Sequence, residues 1–70
     1  MHGTEMPGSA VSLVLLVAQL SNRLGIVDID VFAARLGRET GLVEERCYKA
    51  IRLAGLLGLV GVTKQTVGLS

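Results

Sequence analysis

Few residues in this 70-residue chain have chemistry to offer. There is one histidine, His2, and one cysteine, Cys47. A structural zinc site wants four nitrogen or sulfur ligands, so neither a zinc site nor an internal disulfide can be assembled from them. Cys47 lacks a histidine partner to act as its base, which leaves it a small core residue rather than a nucleophile. Asp28 and Asp30 are a close carboxylate pair, but they open a helical pattern. A carboxylate there accepts backbone N–H groups and complements the helix dipole, so general acid/base work is not expected of them. The glycines fall at the ends of elements and not at the spacing of a phosphate-cradling loop. Enzymatic activity, a metal and a cofactor are therefore not expected. The remaining groups are cations, and they are unevenly distributed. From Val31 onward there are six Lys/Arg against three Glu, a local charge of +3, whereas the preceding part has one Arg against three acids, or −2.

The elements that must position these cations belong to one small domain. A chain of this length buries only about 60% of its unfolded surface. Half the residues are apolar and 19% are charged, which excludes intrinsic disorder. The net charge of +1 excludes a polybasic DNA-coating protein and an acidic mimic alike. The longest apolar run, Ala10 to Leu20, is shorter than the roughly 20 residues of a membrane span. Residues 1–9 contain Glu5 and no Lys or Arg, unlike the basic start of a signal peptide. With no disulfide possible, a reducing cytoplasm is the expected compartment.

Residues 1–9, with the only proline, read as a flexible N-terminal tail in which His2 is solvated. Residues 10–70 form the domain. Ser9 is the expected cap of a helix over 10–24, and Gly25 is its stop. Ser12, Gln19 and Arg23 form one narrow polar stripe, and apolar residues occupy the rest. A monomer's surface helix is apolar on little more than a third of its circumference, so this helix is expected to bury two faces. One is the domain core and the other a homodimer seam through Leu13, Val17, Leu20 and Leu24, with Leu53 joining them. Gly25 to Val27 offers a short extended stretch. A short helix follows over 29–36, with Asp28 as cap, Ile29, Phe32, Ala33 and Leu36 inward, and Gly37 as stop. After a polar turn in which Thr40 is a possible cap, a longer helix starts near Leu42. Its buried line is Val43, Cys47, Ala50, Ile51, Ala54 and Leu57, and Gly58 ends it. Gly55 lies inside and costs up to about 1 kcal/mol relative to Ala, so the helix is expected to tighten or end there. Alternating valines and β-branched threonines then predict a hairpin with strands near 59–63 and 66–69.

In this order of elements the chain resembles the winged helix-turn-helix family of DNA-binding domains. One stretch that carries the resemblance runs from Asp28 through Ile29, Asp30, Val31, Phe32, Ala33, Ala34 and Arg35 to Leu36-Gly37. It has the acidic cap, the central apolar-Ala pair and the terminal Leu-Gly of the family's second helix. The other is Ile51 through Leu57-Gly58-Leu59-Val60, which looks like the end of a recognition helix running into the wing. The matched elements span about residues 11–69. The expected fold is thus mainly α with a small β-hairpin, three helices plus a wing. One departure is that 20 residues lie between Gly37 and Gly58, a few more than such domains often have. Either the turn over Arg38 to Gly41 is long or the recognition helix carries an extra turn, and the docking angle of that helix depends on which.

The resemblance implies a partner, double-stranded DNA, and a dimeric transcriptional regulator. A helix of about 15 residues spans about 22 Å, and the major groove admits one helix. With the apolar line inward, Glu45, Lys49, Arg52 and Leu56 face outward, and Tyr48 flanks them. Lys49 and Arg52, one turn apart, could reach phosphates or a guanine edge. Arg38 and Thr40 stand at the turn and Lys64 at the hairpin tip, where a wing meets the backbone. Each residue also has a plainer reading. Lys49 and Arg52 suit a solvated helix face, with Glu45 to Lys49 as an ordinary i, i+4 pair. Glu44 and Glu45 suit the helix dipole and oppose phosphate; a Glu can accept from cytosine N4, but the dipole is the favoured reading. Tyr48 suits a half-buried flank. The rival function is a winged-helix protein-interaction adaptor or assembly domain without DNA binding, presenting Leu42, Leu53 and Leu56 to a partner.

Overall fold

The computed structural model describes residues 8–68. Its elements are α1 (Gly8–Leu24), β1 (Val27–Asp28), α2 (Ile29–Thr40), α3 (Glu44–Leu56), β2 (Gly61–Val62) and β3 (Thr66–Gly68). The strands form one antiparallel sheet in the order β1-β3-β2. Val27 pairs with Val67 and Asp28 with Thr66 on one side, and Gly61 pairs with Gly68 and Val62 with Val67 on the other. This is the expected class, a mainly helical domain of three helices with a β-hairpin wing. Of the expected tail, residues 1–7 lie outside the described residues, as do His2 and the last residue of the second hairpin strand. Residues 8–9 belong to α1, which begins one residue before the expected cap Ser9.

The core forms where the helices and sheet converge. α1 and α2 both pack on α3, and the sheet closes over them. α1 contributes Val14, Val17 and Leu20, and α2 contributes Phe32, Ala33 and Leu36. α3 adds Cys47, Ala50, Ile51 and Ala54, and the hairpin region adds Val60 and Val67. The Ser21 hydroxyl is also buried, without a hydrogen-bond partner.

This packing corrects the expected dimer seam. Val17 and Leu20 have no exposed surface, and Leu13, Leu24 and Leu53 are half-buried against the same core. Val17 and Leu20 are thus closed to a partner, whereas Leu13, Leu24 and Leu53 keep part of their surface exposed. Among the described residues, the large apolar side chains that α1 exposes are Val11 and Leu15. The sequence pattern located the apolar surplus on α1 but assigned the wrong side to the outside. With apolar residues nearly all round, a wheel has no internal mark of which side meets α3.

Two glycines read as punctuation act instead as contact points. α2 continues through Gly37 to Thr40. A Cβ on Gly37 would stand 3.4 Å from the Leu42 carbonyl oxygen and 3.6 Å from Cys47 Sγ, so the small residue lets the following turn and α3 fold back on α2. α3 likewise runs through Gly55 to Leu56. A Cβ there would lie 2.8 Å from Val62 Cγ2, so Gly55 seats strand β2 against the helix. α3 also starts two residues later than expected. Val43 is its extended N-cap and is 65% exposed, and Leu57, past its end, is 57% exposed. Neither joins the buried line, because each lies just beyond the helical turns that would aim it inward.

Candidate nucleic-acid interface

The link between α2 and α3 is built from local hydrogen bonds. Gly41 closes α2 with φ of 76°, a left-handed conformation that a side chain would strain. Its N–H donates to the Gly37 carbonyl at 2.7 Å. The Thr40 hydroxyl donates to the Leu36 carbonyl at 2.7 Å and accepts the Leu42 N–H at 3.2 Å. Thr40 therefore fastens the turn rather than capping α3, and its hydroxyl is already engaged. Cys47 Sγ lies 3.8 Å from the Leu42 carbonyl oxygen, and burial pushes its thiol pKa up, as befits an inert core thiol.

With Cys47, Ala50, Ile51 and Ala54 turned inward, α3 presents Glu45, Lys49, Arg52 and Leu56 to solvent. Leu56 is 85% exposed. Arg46 is exposed as well. Tyr48 is half-buried, and its hydroxyl donates to Asp30 Oδ1, tying the middle of α3 to the start of α2. The Asp30 carboxylate holds the Tyr48 phenol up to about 12, with burial as the next cause. Asp30 opens α2, so the sequence signal for this bond was present in a carboxylate and a phenol, but only the packing of α2 on α3 pairs them.

The cations divide into two sets. Arg23 of α1 and Arg35 of α2 both pair with Glu39, at 3.0 and 3.1 Å. The Arg23 hydrogen bond and then the Arg35 one hold the Glu39 carboxyl below its ordinary range. Arg38, Arg46, Lys49, Arg52 and Lys64 form no ion pair among the described residues, and all five are exposed. The expected Glu45–Lys49 pair is not formed either.

The wing is short. The Thr63 N–H donates to the Thr66 carbonyl at 2.9 Å, while the Thr63 hydroxyl accepts the N–H groups of Gln65 and Thr66 at 3.2 and 2.8 Å. This turn projects Lys64 at the tip. The Gln65 carbonyl accepts the Ile29 N–H at 2.7 Å, so the hairpin satisfies the first donor of α2. Asp28 occupies the N-cap position without a side-chain cap bond, contrary to expectation. The tip is thus placed beside the start of α2, and Arg38 near its end. A 12-residue helix is about 18 Å long, so these two cations stand towards opposite ends of α2.

Beside that face an open groove of ≈ 630 Å³ runs between α1 and α3. Leu13, Leu42, Val43 and Leu53 line it, with Glu45, Arg46 and Lys49 along α3. No group of three or more His, Cys, Asp or Glu side chains is placed to hold a metal among the described residues. No helix among them is long and apolar enough to cross a membrane. No family model matches the chain, and no curated protein or solved structure matches it.

Proposed function

We propose that the protein binds double-stranded DNA, laying the exposed face of α3 in the major groove, and serves as a small transcriptional regulator. The observation that carries this reading is the partition of the cations. Glu39 takes up Arg23 and Arg35, and the five left unpaired sit on the late part of α2, on α3 and on the wing. Lys49 and Arg52 contact phosphate or a guanine edge, and Arg46 adds a further cation along α3. Arg38 and Lys64 meet the backbone on either side. Glu45 faces the bases. Tyr48 and Thr40 act by positioning, since their hydroxyls are engaged within the fold. A second copy, packed through Val11 and Leu15 of α1, would present two such faces to paired half-sites. On this reading the protein works in the cytoplasm.

The test is fluorescence anisotropy of a labelled mixed-sequence duplex at low and at physiological salt. Micromolar binding that weakens steeply with salt is the expected result. Absence of binding at low salt would overturn the reading. One observation favours the adaptor reading instead: Leu56, 85% exposed, stands on the face that would meet phosphate. Under that reading the same titration gives no binding at either salt.

A further inference from the structure

On the DNA-binding reading just proposed, α3 carries one residue that is out of place. Glu45 puts a carboxylate on the exposed line with Lys49 and Arg52, facing a polyanion. Support of the helix dipole explains an acid in the first turn, but Glu44 already supplies one. Glu44 stands near Tyr48 and Cys47, whose ionisation its charge opposes, and so lies on the flank beside them, although it too is exposed. Glu45 is one residue further round, exposed, and free of Lys49 despite the i, i+4 spacing. A carboxylate has only acceptors. In the major groove the donors it can meet are exocyclic amino groups, of which cytosine N4 is the usual partner of Glu. Phosphate, by contrast, repels it. Lys49 lies about 6 Å further along the helix axis, close to two base-pair steps of about 3.4 Å, where its ammonium suits guanine O6 and N7.

We infer that Glu45 is a specificity-determining residue that accepts a hydrogen bond from cytosine N4, so that the protein selects a C·G pair at the position facing the first turn of α3. The same carboxylate weakens binding to every other sequence, because there it meets no amino group and only raises the repulsion. Discrimination at this position rests on Glu45, whereas overall affinity rests on the cations around it.

The experiment is selection of binders from a pool of duplexes with a randomised core, using the full chain and its Glu45→Gln and Glu45→Ala variants, followed by anisotropy on the selected and a scrambled duplex. The wild type is expected to enrich one C·G pair, with about tenfold or greater preference over the other pairs at that position. Glu45→Gln should shift the preference toward A·T, since an amide pairs with adenine N6 and N7. Glu45→Ala should lose it, and both variants should bind the scrambled duplex more tightly. A wild type that binds DNA but enriches no pair would overturn the inference. So would a Glu45→Ala variant that keeps the same preference while gaining affinity uniformly. A wild type that binds no duplex at low salt fails earlier, and overturns the DNA reading itself. Circular dichroism of the variants confirms that α3 is intact in each case.

Discussion

The Cβ that Gly55 lacks would stand 2.8 Å from Cγ2 of Val62. The wing is seated on α3 at this point. Gly55→Ala should gain up to about 1 kcal/mol in helix propensity and lose about 1–3 kcal/mol to overpacking. Denaturant melts are expected to show net destabilisation. Combining it with Val62→Ala should cost less than the sum of the two single changes. A Gly55→Ala variant as stable as the wild type would mean that the wing shifts without cost.

Ser21 gives a prediction of the opposite sign. Its hydroxyl is buried without a partner, and an unsatisfied buried polar group costs about 1–3 kcal/mol. Ser21→Ala removes the hydroxyl and leaves the helix a better former. Its melting midpoint should rise, by about 1–2 kcal/mol of stability. A fall would show that the hydroxyl makes a bond in solution.

The Tyr48 phenol, held up to about 12 by the Asp30 carboxylate, gives a pH prediction. The usual tyrosine value is about 10. A group whose folded pKa is raised contributes stability that is fully present below the unfolded value and lost as pH rises through the folded one. The contribution from Tyr48 should therefore decline between about pH 10 and 12. Absorbance titration should find the phenolate forming late, and Asp30→Asn should bring it back toward the ordinary value. A phenol that titrates normally in the wild type would show that the bond does not persist.

Glu39 has the opposite sign. Arg23 and Arg35 lower its pKa, so its contribution is present above the unfolded value and lost as pH falls through the folded one. Glu39→Gln is expected to weaken the protein slightly at neutral pH and to match the wild type in acid. Equal melts at neutral pH would show the pairs to be energetically silent.

For DNA, the cations give a paired comparison. Lys49→Ala with Arg52→Ala should weaken duplex binding and reduce the salt slope by about two. Arg35→Ala, which removes a cation engaged with Glu39, should leave the slope nearly unchanged. Equal effects from both would mean that net charge and not the α3 face governs binding.

Much of the fold was legible because periodicity reports which residues face inward. Phe32, Ala33, Leu36, Cys47, Ala50, Ile51 and Ala54 were all expected inward, and all are buried. The misreadings share a cause. Gly37 and Gly55 were read by local propensity, but each is small because another segment lies against it. Asp28 has the residue type of a cap, but its side chain makes no cap bond, and the Ile29 N–H beside it goes to a hairpin carbonyl from far along the chain. Val17 and Leu20 were placed outward because the α1 pattern has no polar side broad enough to orient it. On the candidate interface, the outward line of α3 followed from its buried line. The pairing of Arg35 with Glu39 has the i, i+4 spacing within α2, whereas that of Arg23 did not follow from the sequence, since it depends on how α1 meets α2.

The bond from the Ile29 N–H to the Gln65 carbonyl bears on how the chain reaches its native state. The first N–H of helix α2 has no acceptor within its own helix, and its protein acceptor comes from a segment 36 residues later. Contacts of such long sequence separation slow folding and couple the parts they join. The hairpin is therefore not a removable appendage. Native-state hydrogen exchange should report the amides at the start of α2 opening together with those of β3, as one cooperative unit. A chain ending before β2 should lose protection at Ile29 and in the following turn while it retains protection in the later part of α2.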